Sequence, residues 1–111
     1  MFARAWRKNP DRGKHRMMTV IATIRAQPGH EQTLGALLAT LAAASRGERG
    51  CAAYRVFRST QDGTLFTTFE QWEDASAEAR HMACAHVTEA FAQAGPLLAA
   101  PPDIRRYEEL R

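Results

Sequence analysis

Apolar and polar residues alternate strictly over residues 65–72, LFTTFEQW, and give way at Glu73 and Asp74 to an alanine-rich stretch with helical spacing. A strand, a turn and a helix are predicted there in that order. On the strand, Leu65, Thr67, Phe69 and Gln71 share one face, and Phe66, Thr68, Glu70 and Trp72 share the other. Both faces carry bulky apolar groups. One can be covered by the chain's own helices, so something else must cover the second.

The same reading extends along the chain. Residues 18–26, MTVIATIRA, are β-branched and alternating, with Val20, Ala22 and Ile24 on one face and Ile21, Thr23 and Arg25 on the other. Pro28 and Gly29 end this strand. Leu34, Leu37, Leu38, Leu41 and Ser45 then recur at helical spacing within 30–46, and Gly47 follows where a left-handed C-terminal residue is expected. A second strand is predicted over 50–60, with Tyr54 and Val56 opposed to Ala53, Arg55 and Phe57. Gln61, Asp62 and Gly63 should form a hairpin turn using the positive φ that Asp-Gly readily adopts. Asp74 is the expected N-cap of a helix over 75–94 with a break near Ala83, and a last strand is expected over 103–110. The order β-α-β-β-α-β predicts a ferredoxin-like α+β fold, a four-stranded antiparallel sheet with two helices on one face.

Length and charge sharpen this picture. A chain of 111 residues has room for one core, and 45% apolar with 24% charged residues is an ordinary globular balance. No apolar run approaches the roughly 20 residues of a membrane span, and the N-terminus has no apolar signal core, so a cytoplasmic protein without membrane contacts is expected. Residues 1–17 hold six basic residues against one acidic, a net charge of +5, which leaves the rest at −2. They are expected to be a disordered basic extension, or the product of a start upstream of Met17 or Met18, with residues 18–111 forming the domain. Nucleic-acid binding is not expected, because the extension has no aromatic interleaving beyond Phe2 and Trp6 and no recognition motif. Roughly 94 residues cannot supply another layer. The uncovered face, taken to be the one carrying Phe66 and Trp72 beside Thr and Glu, is therefore assigned to a second copy in a homodimer.

From Met18 to Leu110 the chain resembles the antibiotic biosynthesis monooxygenase family. The resemblance rests on TVIATIRAQPG, on SRGERGCAAY with Ser45, Glu48, Gly50, Cys51 and Tyr54, on EQWED, on His81 with His86 five residues later, and on the closing IRRYEEL. Arg49 departs from a common proline. The haem-degrading branch would place Asn, Trp and His at Ala22, His81 and Phe91, so haem cleavage is not expected. The resemblance implies a dimeric α/β barrel and oxidation of a small aromatic phenol or quinol to a quinone by dioxygen, without flavin, haem or metal.

That chemistry asks the protein to bind a ring, take a proton and exclude water. His81 is the candidate base, since an imidazole ordinarily titrates near neutrality; a helix-face histidine bonded to a backbone carbonyl is the plainer alternative. Glu70 is the second catalytic candidate, orienting a phenol or a histidine, against a structural pairing with Arg25 or Arg55. Trp72 as a stacking wall and Tyr54 as a donor to a quinone oxygen are the candidate substrate-binding residues, each against simple packing. No GxGxxG, HxH or CxxC pattern points to a cofactor. Five residues at 100° each turn His86 roughly 140° from His81, too far round to share a helical face or one metal, so His86 is expected to face solvent or a dimer edge. Both cysteines read as reduced thiols, Cys51 as a small buried hydrophobe and Cys84 as a helix residue without special activation. Two rivals use the same fold: a non-catalytic ligand-binding module, and an isomerase of a small polar metabolite, which would turn Arg25 and Arg55 into the pocket.

Overall fold

The computed structural model describes residues 17–111; the basic extension expected over 1–17 lies, Met17 apart, outside the described residues. The elements run β1 (Met18–Arg25), α1 (Glu31–Arg46), β2 (Cys51–Arg58), β3 (Leu65–Trp72), α2 (Ala75–Ala83), α3 (Ala85–Ala94) and β4 (Asp103–Tyr107). A short 3-10 turn, Gly95–Leu97, precedes the last strand. The strands lie in the order β2-β3-β1-β4 with every neighbouring pair antiparallel, which is the ferredoxin-like α+β arrangement.

Register decides which face the helices cover. Tyr54 lies opposite Glu70, Glu70 opposite Val20, and Val20 opposite Arg106, so these four form one row across the sheet. Val56, Thr68, Ala22 and Ile104 form the next row. This face packs on the helices: Val20, Ala22, Phe66, Thr68, Glu70 and Trp72 are all buried. The open face carries Leu65, Thr67, Phe69 and Gln71 of β3 with Ile21 of β1, and its large exposed groups are Phe57 and Tyr107. The assignment of Phe66 and Trp72 to the uncovered face is therefore corrected. β1 brings Val20, Ala22 and Ile24 alongside Glu70, Thr68 and Phe66, and the α1 stripe of Leu34, Leu38 and Leu41 seals that side.

Local chemistry sets the ends of the elements. Asp74 Oδ1 accepts from the Ala77 N–H at 2.9 Å and caps α2 as expected. The long C-terminal helix is broken, because Cys84 adopts φ −78°, ψ 160°, ending α2 and starting α3. Two glycine expectations fail. Gly47 keeps φ −85°, and the left-handed conformation falls instead on Gly50, φ +87°. There a Cβ would meet the Ala77 Cβ at 2.6 Å, so only glycine lets this loop lie so close to α2. The β2–β3 reversal likewise needs no positive φ at Gly63. Ser59 Oγ accepts from the N–H groups of Gln61 and Asp62, while Asp62 accepts from Thr64 and from Arg25. These donors hold the Asp62 carboxyl down to about 2, Arg25 contributing most.

Candidate functional site

Between the sheet and the helices lies a mainly apolar chamber. Val20, Leu38, Leu41, Val87 and Phe91 line it, and Tyr54, Glu70, Glu78 and His81 bring its polar groups. Its free volume is about 40 Å³. Phe91, 43% exposed, stands at the mouth.

The polar groups that border the chamber have partners supplied by the fold. Strand alternation puts Thr68, Glu70 and Trp72 on one face, and Glu70 spans the other two. Thr68 Oγ1 donates to Glu70 Oε2 at 2.8 Å, and Trp72 Nε1 donates to Glu70 Oε1 at 3.0 Å. Across the sheet, Arg106 of β4 grips Glu78 of α2 through two parallel bonds of 3.0 and 2.9 Å, which raise the arginine's affinity for its proton. Burial, reinforced by the Glu70 charge, pushes the Tyr54 hydroxyl far above the usual phenol range. Tyr54 therefore remains a hydrogen-bond donor.

His81, in the last turn of α2, is held from two sides. Its ring lies against the Trp72 indole, centroids 4.5 Å apart and planes 36° apart, with Tyr54 at 5.5 Å. Its Nδ1 is 2.8 Å from Glu48 Oε2, on the loop that Gly50 brings against α2. His86 Nε2 reaches the same oxygen at 2.6 Å. A carboxylate oxygen can only accept, so both ring nitrogens carry the protons, and neutral His81 keeps its lone pair on Nε2. Cys84 Sγ lies 3.8 Å from Glu48 Oε2 and 3.4 Å from His86 Nε2.

The candidate residues thus come together, though not all in the expected roles. His81, Glu70 and Tyr54 border the chamber. Trp72 is fully buried behind it, a support for His81 and Glu70 rather than a lining group. Glu70 takes neither arginine as a hydrogen-bond partner: Arg25 binds Asp62, and Arg55 stacks on Phe57 of the open face at 5.5 Å. An inward-turned basic pocket, which the isomerase reading requires, is not formed by these arginines. His86 is corrected from a residue facing away to a partner of Glu48, because the break at Cys84 cancels the rotation an unbroken helix would impose. Cys84, expected within a helix, is that break. Cys51 is half-buried and not fully buried as expected, its thiol donating to the Ala53 carbonyl at 3.6 Å and its pKa pushed up by burial and then by Glu48. Two carboxylates beside the chamber gave little local warning in the sequence. Glu48 is 33 residues from His81, and Glu78 shows only as a charge three residues before His81 on a helix face.

An antiparallel ferredoxin-like domain with a helix-to-sheet chamber and a His–Glu pair at its wall is the class of protein defined by these features. Residues 17–93 match the antibiotic biosynthesis monooxygenase family, and the chain belongs to it. YcnE of Bacillus subtilis, named as a candidate monooxygenase, is 30% identical over 92 residues, covering 83% of this chain and 97% of its own. Rv0793 of Mycobacterium tuberculosis, named in the same way, is 32% identical over 84 residues, 76% of this chain and 82% of its own. Among solved structures, PA3566 of Pseudomonas aeruginosa superposes with a TM-score of 0.82 at 35% identity, covering 86% of this chain and 96% of that one. Among the described residues, no helix is long and apolar enough to cross a membrane.

Proposed function

We infer that this chain is a monooxygenase that oxidises a small aromatic phenol or quinol to a quinone with dioxygen and needs no flavin, haem or metal for that chemistry. One observation carries the reading: a histidine whose Nδ1–H is held by a carboxylate stands at the wall of an apolar chamber beside a tyrosine that keeps its proton. His81 Nε2 accepts the phenolic proton, and Glu48 stabilises the imidazolium that results. The phenolate is then electron-rich enough to reduce dioxygen itself. One oxygen atom enters the ring, the other leaves as water, and the ring supplies all four electrons. Tyr54 donates to the substrate oxygen, Glu70 holds Tyr54 protonated, and Trp72 braces His81 from behind. The chamber's present room of about 40 Å³ is that of a few waters, so a ring enters as Phe91 and Met82 turn aside.

The reading includes a homodimer, supported by the open sheet face, where Phe57 is 47% and Tyr107 45% exposed beside Phe69 and Ile21. Sedimentation should find a dimer that Phe57→Lys weakens; a monomeric wild type at tens of micromolar would remove this part. Catalysis is tested by oxygen uptake of the metal-free protein with a panel of naphthols, polycyclic phenols and menadiol-type quinols. His81→Ala should lower turnover by roughly 100-fold or more. If no compound is consumed faster than in buffer and His81→Ala behaves as wild type, the oxygenase reading fails and the ligand-binding module takes its place.

A further inference from the structure

The geometry points to a second function for the wall behind His81: Glu48, His81, Cys84 and His86 form a binding site for a divalent metal ion of the Zn²⁺ class. The four donor groups come from the α1–β2 loop, the last turn of α2, the break and the first turn of α3. One ligand atom from each lies within 4.8 Å of all the others. Metal–ligand bonds of about 2.0–2.3 Å in a tetrahedron set ligand-to-ligand edges of roughly 3.3–3.8 Å. Four of the six edges, at 2.6, 2.8, 3.4 and 3.8 Å, run from below that range to its upper end, and the other two are no longer than 4.8 Å. The two shortest are the edges drawn in by hydrogen bonds, whose protons an ion would replace.

The convergence is specific. Three polar hydrogens, from two imidazoles and a thiol, are directed at the single oxygen Glu48 Oε2. A hydrogen-bonding network alone would be expected to spread them over both carboxylate oxygens. Two imidazoles, one thiolate and one carboxylate are a borderline set that suits Zn²⁺, and the two negative charges balance the ion's two positive ones. The backbone is fixed before any ion arrives. The Glu48 N–H bonds to the Ser45 carbonyl, the Cys51 N–H to the Glu48 carbonyl and the Cys84 N–H to the His81 carbonyl. Side-chain exposure rises from 3% at His81 through 15% at Glu48 to 35% at His86, so the ion enters from the His86 side.

One consequence rests on the proposed function. A metal on His81 Nδ1 leaves the ring's proton on Nε2, the nitrogen assigned as base, so the ion switches oxidation off. Zn²⁺ itself has no redox chemistry to add.

The site is tested on the reduced full chain, without substrate, by titrating Co²⁺ and then competing with Zn²⁺ against a chromophoric chelator. One ion per chain with an apparent Zn²⁺ Kd below roughly 1 μM is expected. Co²⁺ should give intense visible bands of a four-coordinate site and a near-ultraviolet thiolate charge-transfer band. Cys84→Ser should abolish the charge-transfer band, Cys51→Ser should keep it, and His86→Ala, at the most exposed ligand, should weaken Zn²⁺ at least 10-fold with an unchanged circular dichroism spectrum. Absence of stoichiometric binding, or a band that survives Cys84→Ser, overturns the proposal. Turnover plays no part in these measurements, so failure of the oxygenase reading leaves the site standing. Conversely, tight Zn²⁺ binding that leaves an active enzyme's turnover untouched refutes the switch.

Discussion

Gly50 offers a quantitative test of how the Glu48 loop is held. It adopts φ +87°, and a methyl group there would sit 2.6 Å from the Ala77 Cβ. Gly29 has a similar φ of +91° with nothing within 4 Å, and Gly63 has neither constraint. Alanine at the three positions therefore separates backbone strain from collision. A left-handed alanine costs about 1–2 kcal/mol. Moving two methyl groups out to an ordinary contact of about 3.5–4.0 Å displaces α2 by about 1 Å, an overpacking that typically costs about 1–3 kcal/mol. Gly50→Ala should thus lose about 2–5 kcal/mol and Gly29→Ala about 1–2, while Gly63→Ala should gain up to about 1. Urea unfolding followed by circular dichroism reads these differences directly. A double-mutant cycle isolates the collision: Ala77→Gly alone costs about 1 kcal/mol of helix stability, yet in the Gly50→Ala background it should restore about as much as it removes. Equal losses for Gly50→Ala and Gly29→Ala, together with no coupling to Ala77, would refute the account of this loop.

Other predictions concern single groups. Ser45 is fully buried and its hydroxyl has no hydrogen-bond partner, so Ser45→Ala should stabilise the fold by about 1 kcal/mol; a loss of that size in the same unfolding assay would reveal a hidden partner. The raised pKa of Tyr54 means that the unfolded chain releases this proton first. Its contribution to stability is complete below the ordinary phenol value of about 10 and declines above it. Tyr54→Phe should flatten the alkaline limb of a stability–pH profile; an unchanged limb would argue against the buried phenol. Asp62, lowered from 3.8 to about 2, favours the fold above its unfolded value, and that contribution is lost as pH falls through about 2. A carboxyl resonance of Asp62 with its midpoint near 4 would show that the Arg25 clasp is open in solution.

The fold could be read closely from the chain because its strongest signals are periodic. The alternation in β1 and β3, the α1 leucine stripe and the Asp74 cap each depend on neighbours a few residues away. Which face of β3 the helices would choose was not legible, since Phe66 and Trp72 compete with Leu65 and Phe69 on nearly equal terms and only the register with β1 decides. The site divides in the same way. His81, Glu70 and Tyr54 were recognisable by residue type and place, and the chamber brings them together. Glu48 reaches His81 only through a tight approach of loop to helix that no local pattern encodes. His86 joins the site because the helix breaks at Cys84, so a step of 100° per residue does not carry across from His81.

The interruption at Cys84 has a mechanical outcome. Met82 and His81 stand on one side of it, Val87, Ala90 and Phe91 on the other, and both groups border the chamber. The roof over the sheet is thus two short helices that meet at one extended residue, each lining its own part of the same space. Glu48 touches both helices, through His81 and through His86. A single carboxylate oxygen on the facing loop therefore ties the two halves of the roof together.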